Sequence, residues 1–344
     1  MPSPISVIVI TCNEESNIRD CLDSLTALDY PPELHEIIVV DASTDGTARI
    51  VGGYPGVRLV RSEKSFSGQK NAGLRQAAFG ILAFTDADCL VPPNWLKVID
   101  DAFCDERVSA IGGNAFPPPR TARFGRWAAC MGHPAGGAIG FDANVSEGER
   151  GISFVPGCNS AFRKSALLEG AGFDPAFFEG GEDVDISRRL RKKGRILRYV
   201  PELTVYHKPR SNLLSYFQWN IRVGATKYSL QRPSLARLIL QPSFPLWPVA
   251  ALLGIVGLGA AGREGLALLV SAGLWLSLIG ALLVFAKPFR MLLARRRKIG
   301  VSLAAVTIAV PALVCLRQVG INIGELGKRR RVRKSEKARR EKQD

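Results

Sequence analysis

The feature that most constrains this chain is a rhythm in its first ninety residues, where short β-branched runs alternate with stretches of helical spacing. ISVIVIT (5–11) is rich in Ile and Val and predicts a buried strand. It is followed by IRDCLDSLTAL, whose apolar positions 18, 22, 25 and 28 share one helix face. HEIIVVD (35–41) predicts a second strand, which closes on Asp41 before a turn rich in Asp, Ser, Thr and Gly. VRLVRS (57–62) predicts a third strand, GQKNAGLRQAAFG (68–80) a loop and helix, and ILAFTDADC a return to strand. Strand–helix units in this order predict an α/β fold with a mainly parallel central sheet and helices on both faces.

In such sheets ligands bind beyond the carboxyl ends of the strands. Asn13, Asp41, Asp86 and Asp88 all fall at such ends. Asp86 and Asp88 are one residue apart after a buried run, and two like charges there need a cation or a hydrogen-bonding ligand between them. A hard cation, Mg²⁺ or Mn²⁺, suits this pair because it takes few protein oxygens and several from a diphosphate. An isolated Asp-x-Asp is common in surface turns; its place after an apolar strand favours metal or nucleotide contact. No GxGxxG follows the first strand and no GxxxxGK[ST] occurs, which disfavours a dinucleotide enzyme or a P-loop ATPase.

Farther along, FFEGGEDVDISRRLRKKG (177–194) places Glu182, Asp183 and Asp185 where a loop enters a helix. Carboxylates there either cap the helix, stabilised by its N-terminal partial charge, or include a general base. His207, one of three histidines, ends the apolar run VYH; it is either incidental or a third ligand beside the two aspartates. The seven cysteines show no CxxC pair and no ligand spacing, the pattern of inert thiols in a reducing compartment.

The C-terminal third differs. Three apolar runs (244–261, 265–286 and 299–316) carry no charge over 18 to 22 residues, long enough to cross roughly 30 Å of hydrocarbon. The formal net charge is +15, with +7 in the tail 328–344 and +6 in 287–298, so the first 240 residues are close to balanced and nucleic acid is not the expected partner. The expected organisation is a catalytic domain over 1–235, a membrane region of two to three apolar helices over 236–327 and a disordered basic tail over 328–344. The basic loop places the catalytic domain on the cytoplasmic face of an inner or plasma membrane, with anionic lipids as partners. The start, MPSPISVIVITCNEE, has no basic segment of the kind that opens a signal peptide.

The ordered set VIVITCNEE, VVDASTDGT, GQKNAGLRQAA, FTDADC, GCNSAFRKSAL, FFEGGEDVDISRRLRKKG and VYHK strongly resembles the family 2 glycosyltransferases, over roughly residues 4–230. The resemblance implies the GT-A fold of nucleotide-diphospho-sugar transferases, here followed by C-terminal transmembrane helices. It implies inverting transfer of a single sugar from a nucleotide-diphosphate sugar, with Mg²⁺ or Mn²⁺, to a hydroxyl or phosphate acceptor that is lipid-linked or a glycan. Asp41 would then contact the nucleoside with Asn13 and Glu15 nearby, and Lys70 and Asn71 would border the nucleotide. Asp88 would be the principal metal ligand, Asp86 would contact ribose or metal-bound water, and His207 would be the additional ligand. Asp183, beside Glu182, would be the catalytic base. The family's processive synthases carry Gln-x-x-Arg-Trp after the base; here Gln218 and Arg222 stand in Gln-Trp-Asn-Ile-Arg, which departs from that motif and speaks for single transfers. The alternatives are a glycosyltransferase with a non-lipid acceptor and an inactive nucleotide-sugar-binding scaffold.

Overall fold

The computed structural model describes residues 1–130, 152–231 and 310–340, with scattered positions between 262 and 306. The chain divides into two compact units, one of residues 1–121 and 132–209, the other of 122–131 and 210–344.

The first unit is built on eight strands: β1 (Ile5–Thr11), β2 (His35–Asp41), β3 (Val57–Arg61), β4 (Ile81–Asp86), β5 (Cys89–Leu90), β6 (Val108–Phe116), β7 (Asn159–Arg163) and β8 (Ile196–His207). They hydrogen-bond in the order β3-β2-β1-β4-β7-β6-β8-β5. All seven residues of β1 are buried, as a continuous apolar run predicts for a strand covered on both faces. It pairs in parallel with β2 and β4, and β2 pairs in parallel with β3. The other half departs from the expectation of a mainly parallel sheet, although β6 and β8 pair in parallel there. β7 lies antiparallel to both β4 and β6, and β5 antiparallel to β8, so the sheet is mixed.

The order also forces the sheet to curl. β4 ends at Asp86 and β5 starts at Cys89, a step of three residues that spans at most about 11 Å. Between them in the order stand β7, β6 and β8, which in a flat sheet would separate β4 from β5 by about 19 Å. Only a curled sheet closes that gap. Breaks in register between β6 and β8 mark where it bends, between Val108 and Ala110 and between Gly112 and Asn114. At Gly113 the backbones come so close that a Cβ would stand 1.9 Å from the Leu203 carbonyl oxygen.

Helices cover the sheet: α1 (Ile18–Thr26), α2 (Thr47–Val51), α3 (Phe66–Gln76), α4 (Trp95–Phe103), α6 (Lys164–Glu169) and α7 (Glu182–Lys192). α1 buries Ile18, Cys21, Leu22 and Leu25, the face that the apolar spacing marked. α3 lies close on β1, where Gly73 leaves only 2.5 Å between a notional Cβ and the Ile8 side chain. Phe84, Phe162 and Phe173 meet edge to face in the core, with ring centroids 5.6–6.2 Å apart.

The second unit contains α5 (Arg123–Ala129), α8 (Leu213–Gln231) and α9 (Val310–Arg340). α8 and α9 cross at small residues. A Cβ at Gly224 would meet the Ile321 carbonyl oxygen at 1.9 Å, and one at Gly324 the Ile221 carbonyl oxygen at 1.8 Å. Lys227 pairs with the buried Glu325 across this crossing at 2.9 Å.

The expectation of C-terminal transmembrane helices, and with it of a membrane-anchored integral membrane protein with a cytoplasmic catalytic domain, is corrected here. Among the described residues no helix is long and apolar enough to cross a membrane. Within the apolar run 299–316, Val301 and Ser302 are not helical, and α9, from Val310, runs on through Arg317, Gln318, Asn322 and Glu325 into the basic sequence from Lys328. Its small residues serve to pack against α8. The run 244–261 and most of 265–286 lie outside the described residues.

Gly113→Ala forces β6 and β8 apart at the bend and is expected to cost at least about 2 kcal/mol. A denaturant titration of the variant against the parent checks this, and Gly80→Ala, where a Cβ meets nothing within 4 Å, serves as the control with little change.

Candidate active site

The carboxyl ends of β1, β2 and β4, the turn into β5 and the end of β8 meet around one group of polar side chains. Asp41 closes β2 and is wholly buried. It accepts a hydrogen bond from Ser43 N at 3.0 Å and pairs with Arg61, its register partner at the end of β3. The guanidinium also donates to the Ser43 carbonyl at 2.7 Å. Asn13 stands at φ +59°, the left-handed region that Asn tolerates better than most residues. Its N–H donates to Ser43 Oγ at 2.7 Å, and its Oδ1 accepts from Thr44 N at 2.8 Å. Glu15 accepts from Gly46 N and pairs with Arg49 at 3.3 Å, both at the surface. Asn13 and Glu15 therefore tie the β1 loop to the β2 loop and shape the rim beside Asp41.

The Asp86 and Asp88 carboxylates and the His207 ring form a compact set, with one ligand atom from each within 4.8 Å of the others. Asp88 is 9% exposed, and His207 Nε2 lies 3.4 Å from Asp88 Oδ1. The register of β5 with β8 sets Cys89 opposite His207, which is why a residue 119 positions after Asp88 arrives beside it. Burial, and then the charge of Asp88, push the Asp86 carboxyl up to about 6, against the opposing pull of Lys70 and His207. His207 Nδ1 is buried with no hydrogen-bond partner among the described residues. Two hard carboxylates, an imidazole and an excess of buried negative charge fit a divalent cation.

The third group is at the start of α7. Gly180 and Gly181 turn the chain at φ 126° and 88°, which only glycine adopts readily, and deliver Glu182 and Asp183 inward. Asp183 Oδ2 accepts from Gly157 N at 3.0 Å and Oδ1 from Val184 N at 2.8 Å. Its carboxyl is nonetheless pushed up to about 6, by burial and then by Glu182, against Lys70 and the two peptide N–H groups. Glu182 is bound to Lys70 at 2.6 Å, both side chains being about 95% buried. Lys70 Nζ also reaches the Gly157 carbonyl at 3.5 Å and lies over the Phe84 and Phe173 rings. Asp185 is held by Arg188 and Arg189 of its own helix at 2.8 and 2.7 Å.

Lys70 and Asn71 thus lie away from the solvent side of the site. Lys70 joins α3 to α7, and Asn71 clamps Phe173 by donating to its carbonyl at 2.7 Å and accepting from its N–H at 2.9 Å. Residues that motif reading passed over are Arg61, Gly157 and Gln69. Gln69 Nε2 donates to the carbonyls of Thr11 and Val40 at 2.8 and 2.9 Å and holds the ends of β1 and β2 together. For Arg61 a signal did exist, since a strand-ending arginine falls in register with Asp41; Gly157 and Gln69 act through backbone contacts that no local pattern encodes.

Residues 6–170, just under half of the chain, match the family model described as Glycosyl transferase family 2. Glycosyltransferase AglE of Haloferax volcanii is 27% identical over 258 residues, covering 71% of this chain and 79% of that protein. A pre-mycofactocin glycosyltransferase of Mycobacterium tuberculosis is 27% identical over 225 residues, but the match covers only 43% of its length. Among solved structures, a mannosyltransferase from Pyrobaculum calidifontis, in complex with GDP-Man and Mn²⁺, aligns over 95% of this chain and 89% of its own at 22% identity with a TM-score of 0.55, a likeness of fold.

Breaking the buried pair from one side, as in Lys70→Met, leaves Glu182 charged and without its ammonium and is expected to cost about 3 kcal/mol. Equilibrium unfolding of Lys70→Met, Glu182→Gln and the double variant checks this; the double variant should lose less than the two single losses combined. The family match, the α/β GT-A-like fold and the acidic cluster together support glycosyltransferase activity with a metal-binding site.

Proposed function

We propose that this protein transfers a single sugar, with inversion, from a nucleotide-diphosphate sugar to a hydroxyl or phosphate of a lipid-linked acceptor. The observation that carries the proposal is the pairing of two different acidic centres around Lys70. One is the Asp86, Asp88 and His207 set; the other is Asp183, whose two oxygens are fixed by peptide N–H groups. Lys70 feels the charges of Glu182, Asp183 and Asp86, so one ammonium stands among the carboxylates of both.

Each part then has a chemical role. Asp41, its carboxylate already held by Arg61 and Ser43 N, would bound the nucleoside pocket from the end of β2 beside the Asn13 rim. Asp88, Asp86 and His207 would hold Mg²⁺ or Mn²⁺, which when bound supplies Lewis-acid stabilisation to the departing diphosphate. Asp183 takes the proton of the acceptor hydroxyl as it attacks the anomeric carbon opposite the leaving group, and a single displacement of this kind inverts that centre. Glu182, held by Lys70, keeps negative charge beside Asp183 and raises its proton affinity, which suits a base.

The divalent metal and nucleotide sugar draw support from the Pyrobaculum calidifontis mannosyltransferase, described with GDP-Man and Mn²⁺. The lipid-linked acceptor draws support from the names of two relatives. A Methanococcus voltae enzyme 26% identical over 242 residues is a dolichyl N-acetyl-α-D-glucosaminyl phosphate glucuronosyltransferase, and a Synechocystis relative 33% identical over 121 residues is a β-monoglucosyldiacylglycerol synthase.

Purified protein incubated with a panel of nucleotide sugars, lipid extract and Mn²⁺ or Mg²⁺ should release nucleotide and yield one labelled, lipid-extractable product. Product appearing only with water-soluble acceptors would overturn the lipid assignment, and no donor binding at all would overturn the whole reading. Asp183→Asn should reduce transfer by at least about 10³-fold while donor binding by calorimetry stays within about threefold. Asp88→Ala should instead weaken donor binding in Mn²⁺ and abolish the difference between Mn²⁺ and chelator. Because a base works only when deprotonated and the Asp183 carboxyl sits up at about 6, kcat should fall as pH drops through about 6 and level off above 7. A rate unchanged down to pH 5 would remove Asp183 from that role.

A further inference from the structure

His207 belongs to two clusters. On one side it meets the carboxylates of Asp86 and Asp88; on the other, the sulfurs of Cys89 and Cys158 and a His207 ring nitrogen lie within 4.8 Å of one another. Cys89 is fully buried and Cys158 is 4% exposed. The fold creates this meeting: Cys89 opens β5 opposite His207 in register, and Cys158 directly precedes β7. His207 Nδ1, buried and without a hydrogen-bond partner among the described residues, leaves the ring with capacity to spare.

We propose that Cys89, Cys158 and His207 form a second metal site, selective for a borderline or soft dication such as Zn²⁺, which excludes the hard cation from the neighbouring carboxylates. Thiolate and imidazole are the donors zinc prefers, whereas Mg²⁺ and Mn²⁺ prefer carboxylate and water. Tetrahedral zinc with bonds of about 2.3 Å to sulfur sets its thiolates about 3.8 Å apart, so ligands already within 4.8 Å need only small side-chain adjustments. Binding as thiolates displaces the two thiol protons to solvent and involves no redox change. Exclusion follows from the shared ligand: a dication on the thiol side takes His207 and stands a few ångströms from the hard site, where a second dication would be repelled. Scattered cysteines without ligand spacing gave no hint of this in the sequence, because the three residues meet only through the curl of the sheet.

The zinc site stands whether or not the sugar-transfer reading is right; only its inhibitory consequence rests on that reading. Two spectroscopic measurements test it without turnover. Chelator-stripped protein titrated with Co²⁺ should develop a thiolate-to-cobalt charge-transfer band saturating at one equivalent, abolished by Zn²⁺ and absent in Cys158→Ala. Separately, bound Mn²⁺, followed by the electron-paramagnetic-resonance signal of the free ion, should be displaced by Zn²⁺ from the parent at a concentration at least tenfold lower than from Cys158→Ala. Cobalt binding with no thiolate band, or equal displacement of Mn²⁺ from parent and variant, would overturn the proposal. Should Cys158→Ala fail to fold by circular dichroism, Cys158→Ser takes its place, and the cobalt spectrum of the parent decides by itself whether thiolates bind.

Discussion

The site depends on a distance. Three residues lead from the end of β4 to the start of β5, while three strands stand between them in the sheet. A chain that short cannot cross a flat sheet of that width. The sheet must curl until its far strand returns to its middle one, and the crossing segment is the Asp86-Ala87-Asp88 turn itself. The acidic pair therefore sits where the curl closes, with the end of β8 brought against it by the β5 register. The breaks in pairing between β6 and β8 and the glycine at 113 let the backbone take that curvature.

Closing the sheet concentrates charge, and Lys70 is what makes the concentration tolerable. Its ammonium is almost wholly buried, which disfavours a cation, yet its pKa is raised to about 12 because Glu182, Asp183 and Asp86 surround it. Two aromatic rings add to its surroundings without competing for its hydrogen bonds. One ammonium cannot neutralise so many carboxylates. Glu182 takes its direct bond, and Asp183 and Asp86 are left with proton affinities well above those of free carboxylic acids.

How much of this the sequence disclosed depends on whether the determining contact was local. β1 and β2 begin and end where their β-branched runs do, and three of the four apolar positions assigned to the α1 face are buried along it. Leu28, the fourth, lies past the helix end at Thr26. Strand direction was not legible, because a strand buried on both faces shows the same run whichever way it points; β7 therefore escaped a parallel expectation. The positions of Asp86 and Asp88 at a strand end were readable, but their meeting with His207 and Cys158 rests on pairings between residues 48 to 118 positions apart. Hydropathy misled in the C-terminal third. An uncharged run of 18 residues measures composition only, and in 299–316 it includes the non-helical Val301 and Ser302, while α9 carries its far end on into charge.

The structure sorts its inward carboxylates by whether the fold already answers them. Asp41 has Arg61 and a peptide N–H, Asp185 has two arginines, and Glu182 has Lys70. Their charges are spent on holding strand ends and a helix start in place. Asp86 has a second carboxylate and an imidazole close by and shares Lys70 with Glu182, and Asp183 has two peptide dipoles but a glutamate for a neighbour. Burying an unanswered charge costs stability that a structural role would not justify. The residues whose electrostatics stay incomplete, Asp86 and Asp183, are the two that the proposed reaction would use, one beside a cation and the other toward the acceptor's proton. That division of labour among five carboxylates, more than the presence of any single motif, is what separates a catalytic cleft from a well-capped end of a sheet.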